Sequence, residues 1–409
     1  MNMSDRPTPG GGEPPTRWDV VIAAVAAGIF VSFQIGKAPA ALPVLRSELD
    51  LSLVTSGWLI SMFHMIGIVT GMAAGAIADR VGHRRMLLLG MLVTALASAL
   101  GAAADGAATI LISRFFEGFG FIMSAVAAPG LIARAARPVH HKLAFGMWGC
   151  YMPTGTAVMI LLAPAIMEFS GWRGLWLVNA LLLLAFALWL ARVTRDFVAP
   201  PPRSGTAVPP LQAMGLTLSA PAPWLLALCF GCYTGQFLAV LGFLPVMLVE
   251  DQGMGTTAAA VLVALAVATN APGNLIGGVL LHRGWPRWLL IALASTGMGL
   301  STLGIYSDAL PDAARYLLVL LFSLTAGLLP TSVLGAAPVF APKPVLVGTT
   351  TGLIMQGSNL GQTIGPPAVA ALVSASGSWS SAPFVLVAAA VLAFALSLAI
   401  REQERRITR

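Results

Sequence analysis

Of the 409 residues, 57% are hydrophobic and only 10% charged, where a soluble globular domain carries about 25% charged residues. A surface built from so few charges does not stay wetted, so a water-soluble fold is excluded. The net charge of +7 would suit nucleic acid if it formed one basic face, but the cations are strung out between long apolar runs.

Residues 1–18 form a Pro/Gly-rich polar tail, expected to be disordered. The run that follows is long enough to span a bilayer, unlike the apolar core of a cleavable signal. Apolar runs are predicted at 19–43, 54–78, 86–104, 108–132, 144–168, 174–191, 223–249, 257–281, 288–307, 316–338, 346–374 and 381–400. Each approaches or exceeds the ~18 residues that cross about 30 Å of hydrocarbon. None shows the alternating pattern of a barrel strand, so the backbone must satisfy itself as helix. The fold class is therefore an all-α membrane protein with twelve transmembrane helices.

The distribution of cations orients the chain. With the N-terminus in the cytoplasm, inner segments hold 18 Lys and Arg, outer segments only Arg46, Arg173 and Arg315, and spans only Lys37 and Arg114. Both termini are then expected on the cytoplasmic side. The stretch 197–222, with Pro200, Pro201, Pro202, Pro209, Pro210 and Pro221, reads as a cytoplasmic linker. It joins an N-terminal six-helix bundle (19–196) to a C-terminal one (223–400), and 401–409 forms a second cytoplasmic tail.

Ionisable residues within a span are costly, and each is a candidate for function. Lys37 sits in span one, one turn from Gln34, and is expected to face a central cavity and bind substrate; its alternative is snorkelling to the outer interface. Arg114 and Glu117 in span four share a face, either as a coupling pair or as a structural one. Two cations against one carboxylate suggest an anionic substrate, with Arg114 and Gln34 beside Lys37 among its expected ligands. His64 in span two titrates near neutrality and, with Glu117, is a candidate for proton coupling; packing is its simpler role. Tyr151 in span five, Asn270 and Asn274 in span eight, and Gln356 and Asn359 in span eleven are candidate substrate ligands, with interhelical hydrogen bonding as the other use of the amides. Gly357, Gly361 and Gly365 form a small-residue seam, as do Gly67, Gly71 and Gly75. Cys150, Cys229 and Cys232 read as packing residues. No metal-ligand spacing occurs and no cofactor is implied.

Between spans two and three stands Gly75-Ala-Ile-Ala-Asp79-Arg80-Val-Gly82-His83-Arg84-Arg85. It resembles the signature G-x-L-x-D-R-x-G-R-R of the major facilitator superfamily. A degraded echo, Gly277-Gly278-Val-Leu-Leu-His282-Arg283-Gly284-Trp-Pro-Arg287, lies half a chain later, as a duplicated unit would place it. Arg114-Phe-Phe-Glu117-Gly118 resembles the R-x-x-x-G pattern of that family's fourth helix. The resemblance covers the whole chain. It implies the major facilitator fold, two six-helix bundles, an approach of the glycine-bearing spans two and eleven across the halves in a close sliding contact that suits a gate, a monomer as the family default, and a cytoplasmic gate at Gly75, Asp79, Arg80, Gly82, Arg84 and Arg85, whose arginines pair with acids across the bundle.

Span five reads Gly146-Met-Trp148-Gly149-Cys150-Tyr151-Met-Pro153-Thr-Gly155, which departs from the G-x-x-x-G-P-x-x-G-G motif of drug/proton antiporters. Gly242-Phe-Leu-Pro245 closing span seven is similar to the cyanate/nitroimidazole permease-like branch. The function expected is secondary active transport by alternating access: proton-coupled uptake of a small anion across a bacterial inner membrane. The alternative is proton-coupled efflux of drugs or other amphipathic compounds, with aromatic and Met residues as an adaptable lining. An enzyme would need a catalytic cluster, and the His and Cys residues are scattered.

Overall fold

The computed structural model describes residues 15–197 and 208–408. The tail 1–14, the linker segment 198–207 with Pro200, Pro201, Pro202 and Arg203, and Arg409 lie outside the described residues. Among those described, the chain is helical and without strands.

Span one is Trp18–Glu48. Span two is a broken rod, Leu53–Met65, Gly67–Thr70 and Ala74–Val81. Spans three and four are His83–Ala102 and Ala107–Ala135. Span five starts with His141–Gly149 and continues from Tyr151 to a break at Gly171, where span six begins and runs to Val193. The break is a single residue at φ 64°, ψ −177°, a conformation that glycine adopts without Cβ strain. Span seven is Pro221–Val246, ending in a π-helical turn, Met247–Asp251. Span eight is Thr256–Ala268 and Asn270–His282, and span nine Arg287–Ile305. Span ten is Asp312–Ala326, Leu328–Leu334 and Ala337–Phe340. Spans eleven and twelve are Val347–Ser376 and Ala382–Thr408.

All twelve expected spans are present as helix. Span eleven is not among the runs apolar enough to be identified by hydropathy alone, because Gln356, Ser358, Asn359, Gln362 and Thr363 dilute it. Several helices outrun their apolar segments. Span one continues past Pro43 to Glu48, and span twelve continues past Ile400 through a charged segment with an i,i+4 pair, Glu402–Arg406 at 3.3 Å. Charged residues of this kind are good helix formers, so the helix ends where propensity ends rather than where hydrocarbon does. In the described part of the linker, Pro210–Leu218 forms a short helix with Pro at its first position.

The two copies of the repeated turn share a glycine at positive φ. Gly82, between spans two and three, has φ 91°, and Gly284, between spans eight and nine, has φ 85°. Both are left-handed positions that favour glycine.

Spans one, three, four and six pack together in the N-terminal half, with span two against span four and span five against span one. In the C-terminal half span seven lies along span eleven and also touches span twelve, and spans nine, ten and twelve close the bundle. The halves meet where span two lies along span eleven, and where spans one and five meet spans seven and eight. At the end away from the termini they share an apolar core: Ala38, Ala41 and Leu42 of span one pack in one cluster with Phe243 and Val246 of span seven. Arg46 at the end of span one forms an ion pair with Glu250 of the π-helical turn across the same joint.

Spans two and eleven do approach across the halves, but not through the glycines of span eleven. Gly357, Gly361 and Gly365 face span seven within their own half, against the backbone carbonyls of Ala227, Gly231 and Gly235. The face of span eleven turned to span two carries Gly352, Gln356, Asn359, Pro366 and Pro367 instead. Gly67 and Gly71 do meet span eleven, but through the Asn359 and Gln356 side chains. A helix packed on both sides needs two close-approach faces, and the glycine spacing alone does not say which neighbour each face meets.

Candidate functional site

The site begins with a charged side chain that the bilayer will not tolerate bare. Lys37 is fully buried, and its ammonium donates to Glu117 Oε1 at 2.6 Å and to Ser98 Oγ at 2.7 Å. It also stands 4.4 Å from the centre of the Trp176 ring, a cation–π contact. Ser98 in turn donates to the Trp176 carbonyl at 2.8 Å, so its hydroxyl orients the lysine from behind.

Glu117 shares itself between two cations. Its second oxygen accepts from Arg114 Nη1 at 2.5 Å. Arg114 also donates to the Gln34 carbonyl at 2.8 Å and the Leu59 carbonyl at 3.2 Å, and lies over the Phe63 ring at 4.7 Å. The three charged side chains are 0–2% exposed. Four elements hold the cluster: span one supplies Lys37, span three Ser98, span four Arg114 and Glu117, and span six Trp176.

The placement corrects the expected direction of Lys37. It neither snorkels to an interface nor opens onto a cavity; its ammonium points into the N-terminal bundle, toward spans three and six. The physical reason is that Glu117, Ser98 and the Trp176 ring together replace its hydration. Gln34 extends the cluster: its amide nitrogen reaches Asn179 Oδ1 at 3.4 Å, while its Oε1 is buried with no hydrogen-bond partner among the described residues. Arg114 and Glu117 are paired as their spacing suggested. Ser98, Trp176 and Asn179 were missed by sequence reasoning, since a serine, a tryptophan and an asparagine in apolar helices carry no motif; only the polarity of Asn179 could have drawn notice.

The other candidates lie elsewhere. His64 is 6% exposed, packed edge-on against Phe63 at 5.2 Å, with no hydrogen bond to the cluster. Tyr151 stacks on Trp148 at 3.9 Å, against Gly28 of span one. Asn270 donates to the Ser323 carbonyl at 3.1 Å, and Asn274 donates to Asn270 Oδ1 at 2.7 Å. Gln356 Nε2 donates across the halves to the Ile68 carbonyl at 2.8 Å, where span two is interrupted. Asn359 donates to the Met355 carbonyl at 2.8 Å and packs on Gly67. All four amides are thus engaged in hydrogen bonds.

Of the gate residues, Arg80 and Arg85 are exposed. Arg84 donates to the Thr194 hydroxyl and the Ala191 carbonyl, both at 2.7 Å, and among the described residues no acid across the bundle pairs with it. A cation at the C-terminal end of span six satisfies carbonyls that the helix leaves free. The surroundings of Gly75 and the side chain of Asp79 lie outside the described residues. Arg80, Arg84, Arg85, Arg134 and Phe197 line a cavity of about 300 Å³ at this end.

The family model of the Major Facilitator Superfamily matches residues 22–355. The chain is 29% identical to monocarboxylate transporter 11 of Homo sapiens, over 93% of this chain and 82% of that protein. It is 28% identical to the 3-(3-hydroxy-phenyl)propionate transporter of Escherichia coli (strain K12), over 76% and 75%. To the puromycin resistance protein pur8 of Streptomyces alboniger it is 29% identical, over 45% of this chain and 37% of that one. Its fold is similar to that of a bacterial homolog of the human lysosomal transporter Spinster, solved inward-facing and unoccupied: the TM-score is 0.79 at 15% identity, covering 94% of this chain and 98% of that one. With the signature loop, the twelve helices and the family match in agreement, this chain belongs to the major facilitator superfamily and is a multi-pass membrane transporter rather than an enzyme.

Proposed function

We propose that the protein takes up a small organic anion together with a proton, by alternating access, across a bacterial inner membrane with both termini in the cytoplasm. The observation that carries this reading is the buried trio of Lys37, Glu117 and Arg114.

With Lys37 charged, two cations and one carboxylate give the trio a charge of +1. A proton on Glu117 alone raises the buried charge, and an anion alone lowers it. When both bind, the anion takes the place of the neutralised carboxylate and the charge returns to its starting value. Buried net charge is expensive in a low-dielectric surrounding, so a proton on Glu117 without the anion is disfavoured, and bound anion lowers the cost of protonating Glu117, which links the two cargoes. Lys37 has a flexible stem that can leave Ser98 for a substrate. His64, near Arg114 but not bonded to the trio, is the second candidate for the proton.

The relatives that align over most of their length are named for carboxylate transport, whereas the antibiotic-resistance relative aligns over less than half of this chain. This favours an anion over an amphipathic drug.

The test is uptake of labelled acetate, benzoate and related acids into proteoliposomes, with and without an inward proton gradient. Gradient-driven uptake is expected from the wild type and is lost in Lys37→Ala. Glu117→Gln should retain anion counterflow while losing proton-driven accumulation. Expulsion of a cationic dye with no movement of any acid would overturn the proposal in favour of efflux.

A further inference from the structure

Two openings at one end of the N-terminal bundle share a wall at Val81. The first is the cavity of about 300 Å³ beside the turn at Gly82, lined by Arg80, Arg84, Arg85 and Arg134. The second is a groove of about 130 Å³ that starts from the same valine and extends inward to Thr70, between spans two, three and four. Its walls are apolar: Ile77 and Val81 of span two, Leu89 of span three, and Phe119 and Ile122 of span four. All of these but Ile122 are exposed, so the groove opens on the outer surface of the bundle, where lipid tails lie.

The matching turn of the C-terminal half is covered by its own chain. There Arg287, just past Gly284, lies 3.7 Å from Glu404, and Arg401 stands over the Trp288 ring at 4.7 Å. Span twelve brings these residues because it runs on to Thr408, whereas span six stops at Val193. In the N-terminal copy the acceptors of Arg84 are a carbonyl and a hydroxyl at the end of span six, and neither is charged. Its guanidinium is hydrogen-bonded there without being neutralised, and no acid stands among the described residues that line the cavity.

Guanidinium groups suit phosphate oxygens, and basic pockets between membrane helices take anionic headgroups. A free anion would use the cavity and leave the groove empty. A zwitterionic lipid would fill the groove but bring a cation of its own to the arginines. A phosphate of net negative charge joined to an acyl chain uses both openings.

We infer that the cavity and the groove together are a binding site for one anionic phospholipid, its phosphate among the arginines and one acyl chain between spans two, three and four. A lipid held there lies against Ala74–Val81, the segment of span two that its interruption separates from Leu53–Met65. It braces that segment against spans three and four.

The experiment is native mass spectrometry of the full chain in detergent, titrated with phosphatidylglycerol or with phosphatidylcholine of the same acyl chains. Amide exchange over residues 74–81 is the second readout. One phosphatidylglycerol should bind about tenfold more tightly than phosphatidylcholine and should slow that exchange. Arg80→Gln with Arg85→Gln should erase the preference. Arg283→Gln, at the exposed arginine beside Gly284, should keep it. Leu89→Trp, which fills the groove from an exposed position, should lose the bound lipid while staying monodisperse. Equal affinity for the two lipids would overturn the site, and so would a preference that survives loss of both arginines. Displacement of phosphatidylglycerol by equimolar glycerol phosphate, with wild-type binding in Leu89→Trp, would show a site for free phosphate and overturn the lipid.

Discussion

Lys37 and Glu117, 80 residues apart in the chain, lie 2.6 Å apart inside the N-terminal bundle, and neither side chain touches solvent. Removing one partner or the other is not equivalent. Glu117→Ala leaves two buried cations facing each other and should cost about 3–5 kcal/mol. Lys37→Met leaves the Arg114–Glu117 pair balanced and fills similar volume, so it should be close to neutral for stability. Thermal unfolding in detergent checks this; equal destabilisation by both variants would contradict the charge balance drawn here.

The seam between spans seven and eleven gives a steric prediction. A Cβ at Gly361 would run into the Gly231 carbonyl, while one at Gly278 meets nothing within 4 Å. Gly361→Val should cost about 3 kcal/mol or more through overpacking and sharply reduce the yield of monodisperse protein. Gly278→Val should behave as wild type in size-exclusion chromatography. A folded, stable Gly361→Val would rule out the close approach.

Arg46 and Glu250 join the halves at the end away from the termini. Both are partly exposed, so their pairing is worth about 1 kcal/mol or less. That is still enough to shift a balanced opening equilibrium several-fold. Arg46→Glu should widen the distance between spin labels at Ser47 and Gln252, and adding Glu250→Arg should restore it. Unchanged distance distributions in Arg46→Glu would show that the apolar contacts around Phe243 hold the joint alone.

Gln356 donates to the Ile68 carbonyl, where span two is interrupted between Met65 and Ala74. Gln356→Leu removes about 1 kcal/mol of interhelical bonding and should speed amide exchange over residues 66–73, with the rest of span two unaffected. Exchange at wild-type rates would mean that the interruption is stabilised by its packing alone.

Much of the fold was legible in one dimension. The twelve helices follow from runs long enough to cross a bilayer that offers the backbone no partners. The signature between Gly75 and Arg85 carried the family, and Gly82 the turn. The ion pair Arg114–Glu117 was also legible, because three residues on a helix define one face.

What only the tertiary structure decided is which neighbour each face meets. Lys37 read as a residue for a central cavity, but Ser98, Glu117 and Trp176, distant in the chain, converge on it and turn it inward. Spans two and eleven approach as the resemblance implied, yet the glycines of span eleven admit span seven, while Gln356 and Asn359 take the contact between the halves. Hydrophobic length and charge bias are properties of a segment by itself, and so the sequence carries them. The partner of a buried polar group is chosen by whichever helix the bundle brings within about 3 Å, and that distance exists only after folding.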